Sequence, residues 1–312
     1  MPPDLSVIVC TLDRAKLLGK CLESLVKQEC VPWTFEAIVV DNGSRDETRE
    51  LVEDLSRRHS HIRYLYESQQ GLSNARNRGA KASLGKYVAY IDDDAVACPG
   101  WCGAICETFE KDPDIRSRKV GGLGGPVEPV YELGRPPWML PEMEKLYTVL
   151  DLGNRAQLFG SSKGPLGANM AFLKEPLLAN PWNEQFGRKG RFYCDETELL
   201  HRLAKQGYQM LYVPSMRVLH FVPSIRCTRE WALSRFYAEG VSAFHVHRGF
   251  VAKAKFIGLT GAKLIYSIIG VTFGSRRRNL LHKCRINCQM AVFHQLLGGW
   301  GGRDSNSSTG WT

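Results

Sequence analysis

The sequence lacks the patterns that would tie its ten cysteines to disulfides or to a metal. No Cys-x-x-Cys occurs, and the cysteines are not spaced as regular pairs. Cys98, Cys102 and Cys106 recur at helical spacing, which is typical of small apolar side chains on a buried helix face. The cysteines therefore favour a reducing compartment and do not indicate a metal centre.

Acidic residues are missing from one long stretch near the end of the chain. Between Gly240 and Gly302 there are nine Lys or Arg and no Asp or Glu, and this excess equals the whole formal net charge of +9. A local basic excess favours an acidic partner, either anionic lipid or nucleic acid. Because no aromatic-interleaved motif accompanies the basic residues, we expect no nucleic-acid partner.

Targeting and membrane signals are also sparse. The beginning, Met-Pro-Pro-Asp, has no basic region and no long apolar run, so we expect no secretory signal. Residues 256–273 are apolar apart from Lys263, and eighteen residues are barely enough to span a bilayer. Because three arginines follow at 276–278, we expect an interfacial helix that holds a cytoplasmic protein peripherally on the cytoplasmic face of an anionic membrane. A core-packing helix with solvated basic flanks is the alternative.

Short β-rich runs alternate with amphipathic helical patterns through the first hundred residues. Runs at 5–10, 35–40, 62–66 and 87–91 are each followed by helical spacing of apolar residues. This alternation predicts an α/β fold with a parallel sheet flanked by crossover helices, and a nucleotide-binding half at residues 1–100.

Three adjacent carboxylates, Asp92, Asp93 and Asp94, follow the fourth of these runs. Adjacent acids repel one another, and a fold tolerates them mainly when a positive charge is brought to them. The end of a strand in an open α/β sheet is also where ligands bind. The stretch therefore predicts a site for a divalent cation.

Thr11 and Asp41 follow two other predicted strands. Parallel strands would bring both residues to the same sheet edge as the three carboxylates. Asp41 begins the sequence Asp-Asn-Gly-Ser, which taken alone favours an Asx turn. Taken with the other polar strand ends, it favours a binding site.

The second half of the chain supplies further polar candidates. Gly167 and Asn169 lie in a small-residue run at 164–172 that predicts a strand open to close approach by a ligand. Asp195 and Glu196 begin an acid-rich helix, where acids complement the helix dipole without any other function. They are also placed to act as a general base, because neighbouring carboxylates raise one another's pKa. A lone histidine such as His220 is more typical of a packed residue than of a ligand.

Taken in order, these motifs resemble those of inverting family 2 glycosyltransferases with the GT-A fold, over roughly residues 4–245. The resemblance rests on the ordered set more than on any one member. The matching stretches are Val7–Thr11 with Asp13 and Arg14, Val39–Ser44, Gly71–Asn77, Ile91–Asp94, Gly167–Met170 and Asp195–Leu200.

The resemblance implies a Rossmann-like, mostly parallel GT-A sheet and a role for each candidate residue. The residues that it implies for nucleotide binding are Thr11, Asp13, Arg14, Asp41, Arg76, Asp92 and Asp93. It implies Mg²⁺ or Mn²⁺ held by Asp94, with Asp92 and His220 as further ligands, and substrate beside Gly167 and Asn169. The family commonly has Glu-Asp where this chain has Asp195-Glu196, with the second acid as the base. This implies Glu196 as the base and leaves Asp195 as an alternative.

The activity implied is metal-dependent transfer of a sugar from a nucleotide-diphosphate sugar to a hydroxyl of a carbohydrate or lipid-linked acceptor, in polysaccharide or glycoconjugate assembly. We expect a glycosyltransferase domain at 1–245 with its acceptor-binding half at 101–245, a basic apolar helical segment at 246–303, and a disordered tail at 304–312. A sugar-phosphate nucleotidyltransferase is an alternative, but it would need a glycine-rich loop where Thr11-Leu-Asp-Arg stands. A non-catalytic carbohydrate-binding scaffold is another, and the retained acids argue against it.

Overall fold

The structure, a computed structural model, describes residues 1–160, 164–187, 193–246 and 250–297. The described residues divide into two units. The first lies within the ranges 1–130, 148–191 and 195–221, and the second within 131–147, 192–194 and 222–312. The functional division predicted at residues 100 and 245 stays a prediction. The predicted tail at 304–312 lies outside the described residues.

The strands alternate with helices over the first hundred residues, as predicted. In chain order the described strands are β1 (Leu5–Thr11), β2 (Phe35–Asp41), β3 (Ile62–Tyr66), β4 (Tyr87–Tyr90), β5 (Ala95–Ala97), β6 (Val120–Gly124), β7 (Val127–Tyr131), β8 (Gln157–Leu158), β9 (Met170–Leu173), β10 (Gln209–Tyr212) and β11 (Val218–Val222). The described α-helices are α1 (Ala15–Val26), α2 (Thr48–Arg58), α3 (Leu72–Ala82), α4 (Trp101–Lys111), α5 (Asp114–Ser117), α6 (Lys174–Ala179), α7 (Asp195–Lys205), α8 (Arg229–Val246), α9 (Phe250–Phe273) and α10 (Asn279–Leu296). Short 3₁₀ helices lie at Pro141–Tyr147, Ser224–Cys227 and Arg276–Arg278.

The larger described sheet has the strand order β3-β2-β1-β4-β9-β6-β10-β8. β3, β2, β1 and β4 are parallel neighbours, and β6 runs parallel to β10. β9 runs antiparallel to both β4 and β6, and β8 runs antiparallel to β10. The predicted α/β class with a mostly parallel sheet is therefore confirmed, with an antiparallel strand inserted beside β4.

Both faces of this sheet are covered, which explains why its strands read as continuous apolar runs. Val7 and Val9 of β1 lie in a buried cluster with residues of α1 and α4, whereas Ile8 lies in a second cluster with residues of α3 and α7. Gly79 on α3 permits this packing, because a Cβ at that position would lie 2.6 Å from Ile8 Cγ2. The helices and sheet together hold the strand ends in fixed positions.

Two stretches differ from their predicted form. The run at 164–172 is a strand only from Met170, and residues 166–169 form a tight turn with a bridge between Leu166 and Asn169. The stretch at 128–163, which lacks clear periodicity, contains the end of β7, a 3₁₀ helix and β8 among its described residues.

The described part of the second unit is mainly helical. Its α10 packs on both α8 and α9. Within α9, Lys253–Phe273 is long and apolar enough to cross a membrane by length and composition, with a mean hydropathy of 1.6 and few buried residues. The predicted apolar helix at 256–273 is therefore present.

Candidate active site

The carboxyl ends of β1, β2 and β4 meet at one edge of the sheet. Thr11 and Asp41 are direct partners in the parallel register of β1 and β2. Asp92, Asp93 and Asp94 follow β4, which is the other neighbour of β1. The parallel sheet thus brings these polar residues together, as the alternating sequence pattern predicts.

His220 reaches the same edge through the smaller described sheet, in which β11 lies between β5 and β7. β5 begins directly after Asp94, and its antiparallel register places His220 opposite Ala95. His220 Nε2 lies 3.2 Å from Asp94 Oδ1, and both side chains are buried. The pairing of β11 with β5 therefore brings a histidine beside acids that lie more than a hundred positions earlier in the chain.

Asp92, Asp94 and His220 have the arrangement of a metal site. One ligand atom from each lies within 4.8 Å of the others. Two carboxylates and an imidazole suit a divalent first-row or alkaline-earth cation. These side chains fit the predicted metal, and the sequence-predicted ligands are the ones that the structure brings together.

Asp93 faces a different set of partners. Thr11 Oγ1 donates to Asp93 Oδ2 at 2.8 Å, and Arg14 Nη1 donates to Asp93 Oδ1 at 2.5 Å. Arg14 Nη2 also donates to Asp94 Oδ2 at 2.7 Å. Burial raises the pKa of Asp93 to about 7, against the lowering effect of the Arg14 guanidinium. Arg14 thus clamps two of the three adjacent carboxylates in one orientation.

Arg76 lies buried between the metal-type cluster and the acids of α7. Its Nη1 forms an ion pair with Asp195 Oδ2. Its Nη2 lies 3.5 Å from Glu196 Oε1 and 4.0 Å from Asp92 Oδ1. Its guanidinium carbon lies 4.5 Å from the centroid of the Trp182 ring. One guanidinium therefore lies within ion-pair distance of three carboxylates.

The two acids that begin α7 differ in exposure. The Asp195 side chain is 7% exposed and the Glu196 side chain is 26% exposed. Burial and the neighbouring Glu196 charge raise the pKa of Asp195 to about 7, and the Arg76 charge opposes them only in part. Glu196 is thus the acid of the pair that solvent reaches more readily.

Comparison with known proteins places this geometry in a family. Residues 6–148 match the family described as Glycosyl transferase family 2. Residues 6–148 of this chain are thus similar to a family 2 glycosyltransferase domain. The resemblance that the ordered motifs predict is confirmed, and the protein is a glycosyltransferase.

Two curated relatives illustrate the similarity. The glycosyltransferase is 28% identical over 247 residues to glucosyl-dolichyl phosphate glucuronosyltransferase of Haloferax volcanii, a match that covers 76% of this chain and 75% of that protein. It is 32% identical over 146 residues to the uncharacterized glycosyltransferase YibD of Escherichia coli, covering 39% of this chain and 42% of that one.

Two solved structures share the fold. The mannosyltransferase PcManGT from Pyrobaculum calidifontis, in complex with GDP-Man and Mn²⁺, superposes with a TM-score of 0.60 at 18% identity, covering 95% of this chain and 88% of its own. GalNAc-T7, with UDP, GalNAc and Mn²⁺, gives a TM-score of 0.52 at 17% identity, covering 71% of this chain and 44% of its own. The glycosyltransferase therefore has the predicted GT-A fold.

The predicted nucleotide side of the enzyme is a pair of linked loops. Asp41 Oδ1 accepts a hydrogen bond from the Ser44 amide, three residues on, at 2.8 Å, and Asp41 Oδ2 accepts one from Tyr64 Oη at 2.8 Å. Asp13 Oδ1 accepts the Arg45 amide at 2.6 Å, and the Asp13 amide donates to Ser44 Oγ at 3.0 Å. These bonds hold the loops after β1 and β2 together. Nucleotide binding by their residues stays a prediction.

Gly167 and Asn169 occupy positions unlike the predicted open strand. A Cβ on Gly167 would lie 2.3 Å from Glu196 Oε1 and 2.6 Å from Arg76 Nη2. The glycine therefore leaves room for the ion pair between Arg76 and Glu196. Asn169 is fully buried. Its amide accepts from Trp101 Nε1 and donates to two backbone carbonyls. All of these bonds are made inside the protein, and substrate contact by Asn169 stays a prediction.

Trp182 is a site residue that sequence reasoning missed. It is buried beneath the Arg76 guanidinium, and its backbone is held at both ends by Asn77, whose side-chain amide donates to Trp182 O at 2.9 Å and accepts from Trp182 N at 2.8 Å. The tryptophan lies in an irregular stretch, Pro-Trp-Asn, without hydrophobic periodicity. Only the adjacent Ala-Arg-Asn motif on α3 offers a sequence signal, through the asparagine that anchors it.

Proposed function

We propose that the protein is a metal-dependent, inverting glycosyltransferase that moves a sugar from a nucleotide-diphosphate sugar to an acceptor hydroxyl. The observation that carries the proposal is the linkage of a metal-type ligand set to an acid pair through one buried arginine. Arg76 Nη2 stands within 4.0 Å of Asp92 on one side and 3.5 Å of Glu196 on the other. Cleavage of the donor and activation of the acceptor need such groups side by side.

The cation site suits the leaving group of this reaction. Asp92, Asp94 and His220 would hold Mn²⁺ or Mg²⁺. Such a cation would neutralise the negative charge that develops on the departing diphosphate. The imidazole favours Mn²⁺, because Mg²⁺ prefers oxygen ligands. Arg14 keeps Asp94 oriented by its bond to Oδ2, which leaves the Oδ1 side towards His220.

Glu196 is the base in this proposal. It takes the proton of the acceptor hydroxyl as that oxygen attacks the anomeric carbon and the bond to the diphosphate breaks. Asp195 is held in an ion pair by Arg76 and is the less exposed of the two acids. Its role in this proposal is to hold Arg76 beside Glu196, and it is not the base. Because one displacement with one base needs no covalent intermediate, the sugar inverts its configuration.

The donor and acceptor classes follow from the strand-end loops and from the relatives. We place the nucleotide against Thr11, Asp13 and Asp41 at the edge formed by β1 and β2. The Haloferax relative is named for action on glucosyl-dolichyl phosphate. We propose by analogy a carbohydrate or lipid-linked acceptor, and assembly of a polysaccharide or glycoconjugate on the cytoplasmic face of a membrane.

The second unit offers a surface for peripheral membrane contact. Ile265 and Ile269, one helical turn apart on α9, are 63% and 52% exposed, and Phe273 is 83% exposed. The arginines at 276–278 follow this apolar face, as anionic lipid would require. We propose that α9 lies in the interface of an anionic leaflet.

The activity is tested by incubating purified protein with UDP-, GDP- and dTDP-sugars and Mn²⁺ while nucleotide diphosphate release is followed. We expect turnover of at least one donor, loss of turnover on chelation, and recovery with added Mn²⁺. Turnover that survives exhaustive chelation refutes metal dependence. Absence of turnover across the panel, with membrane extracts supplying acceptor, refutes the transferase.

The membrane contact is tested by flotation with vesicles of phosphatidylglycerol and of phosphatidylcholine. We expect the protein to float with the anionic vesicles, and the double variant Ile265→Glu with Ile269→Glu to stay in the dense fraction. Leu84→Glu is the matched control, because Leu84 is 57% exposed on the first unit. Equal flotation of the double variant and the wild type overturns the assignment to α9.

A further inference from the structure

The Arg76 side chain is almost completely buried. It is 2% exposed, and it ranks among the largest side chains that the described structure buries completely. Its guanidinium rests on the Trp182 ring, and Trp182 Nε1 donates to Tyr90 Oη at 3.0 Å. Tyr90 Oη in turn donates to the Arg76 carbonyl oxygen at 3.3 Å. The arginine is therefore fixed at its backbone and at its charged end.

The charged end of Arg76 is already engaged by protein carboxylates. Nη1 pairs with Asp195, and Nη2 lies between Asp92 and Glu196. A guanidinium presents its donors in a rigid fork, so the positions of these acids relative to one another are fixed by its geometry. One nitrogen thus spans the distance from a metal-ligand carboxylate to the proposed base.

We propose that Arg76 is a positioning residue for the base: it fixes the Glu196 carboxylate relative to the Asp92 side of the metal site, and it does not contact the donor nucleotide. This inference rests on the proposed function and replaces the nucleotide contact that the sequence resemblance implies for Arg76. A lysine at this position keeps one charge, but it cannot reach Asp195 and Glu196 with separate nitrogens in a fixed plane.

Gly167 lies against the pair formed by Arg76 and Glu196. A Cβ there would meet Glu196 Oε1 at 2.3 Å and Arg76 Nη2 at 2.6 Å, which is closer than carbon approaches these atoms. An added methyl group must therefore push the carboxylate and the guanidinium apart. Gly167→Ala disturbs the pairing without removing a charge, and it tests the geometry separately from the electrostatics.

The experiment compares Arg76→Lys, Gly167→Ala and Glu196→Gln with the wild type on the sugar nucleotide that the wild type turns over. We expect kcat to fall about 100-fold or more in each variant, which is the usual contribution of a placed general base. We expect the Kd of the matching nucleoside diphosphate with Mn²⁺, measured by calorimetry, to change less than about threefold. Arg78→Lys is the matched control, because Arg78 is exposed on the same helix.

A double-variant cycle separates positioning from general structural damage. In the Glu196→Gln background, Arg76→Lys and Gly167→Ala should each lower kcat by less than a further factor of about three, because the group that they position is already gone. A merely structural loss would multiply with the Glu196→Gln effect and would lower the melting temperature in proportion.

Several results would overturn the inference. An Arg76→Lys kcat within about threefold of wild type refutes it. A more than tenfold weaker nucleotide Kd refutes it by showing that Arg76 holds the donor. If Arg76→Lys does not fold, Gly167→Ala and its double variant decide by the same criteria. Inactivity of the wild type on every donor refutes the proposed function and this inference with it, whereas an active wild type with an unchanged variant refutes this inference alone.

Discussion

Replacement of Asn169 by alanine should destabilise the enzyme while leaving its substrate affinities intact. The Asn169 amide accepts from Trp101 Nε1 at 2.9 Å and donates to Pro126 O at 3.0 Å and to Met216 O at 2.6 Å. These bonds join α4, the turn before β7 and the segment before β11. The side chain is fully buried, so substrate has no access to it.

The magnitude follows from the groups that lose their partner. Pro126 O also accepts the Val218 amide at 3.1 Å and keeps that bond. Trp101 Nε1 and Met216 O lose the bond that the structure gives them, and a buried group left unsatisfied costs about 1–3 kcal/mol. We therefore expect a loss of about 3 kcal/mol in the free energy of unfolding, and a melting temperature lower by about 6–12 °C.

Thermal and urea unfolding followed by circular dichroism measure this loss, and steady-state kinetics well below the transition measure KM. Asn183→Ala is the matched control, because Asn183 Oδ1 only accepts the Gln185 amide at 3.1 Å near the surface, and we expect less than about 1 kcal/mol there. A variant Asn169→Ala with a wild-type melting temperature and a tenfold higher KM would refute the reasoning and support the predicted substrate contact by Asn169.

Three further predictions concern the charged residues. Asp94→Asn should raise the Mn²⁺ concentration for half-maximal turnover by about 100-fold in a titration of chelated enzyme, and an unchanged requirement would remove Asp94 from the metal site. The pKa of Asp195 is raised from 3.8 to about 7, so its stabilising contribution is complete below about pH 4 and is lost as the pH rises to about 7, by at most about 1.4 kcal/mol per pH unit. Asp195→Asn should make the free energy of unfolding, measured by urea unfolding at several pH values, less dependent on pH over that range. A pH dependence identical to that of the wild type would contradict the raised pKa of Asp195. Arg14→Ala should lower kcat by about tenfold or more, and Arg14→Lys should not restore it because the Asp93 and Asp94 bonds need two nitrogens; full activity of the lysine variant would argue that only charge matters.

The sheet edge was open to prediction from sequence because its signals are local. Thr11, Asp41 and the acids at 92–94 each follow an apolar run directly, and alternation of runs and helices requires parallel strands. Residues at the ends of parallel strands then meet without any knowledge of side-chain packing. The metal-type position of Asp92 and Asp94 follows from chain order alone.

The positions of His220 and Arg76 cannot be predicted from local sequence patterns. The approach of His220 to Asp94 depends on the register of β5 against β11, and one residue of slip would turn the imidazole to the other face. The place of Arg76 depends on an aromatic platform in an irregular segment that carries no periodicity. Both could be assigned from sequence only by resemblance, and for Arg76 the resemblance gave a nucleotide contact that its burial argues against.

Asn169 shows a different difficulty, which is that one sequence signal has two physical meanings. Small residues beside an amide allow a ligand to approach the backbone, and they equally allow three chain segments to close on one another. Burial decides between these meanings, and it depends on segments as distant as Trp101 and Met216. Gly167, two positions earlier, lies beside Glu196 and Arg76 instead. Neighbouring residues of one motif thus have different surroundings.

The charge balance of the described site refines the argument that three adjacent acids need a cation. Arg14 shares one positive charge between Asp93 and Asp94, and Asp93 also accepts a hydrogen bond from Thr11. Arg76 is shared among Asp92 and the acids of α7, and it cannot neutralise them all. The two guanidinium groups face more carboxylates than they can neutralise, and Asp92 and Asp94 lie beside His220 within this cluster. A diphosphate would meet repulsion there until a divalent cation is bound, so the geometry favours a cation that enters with the donor or before it.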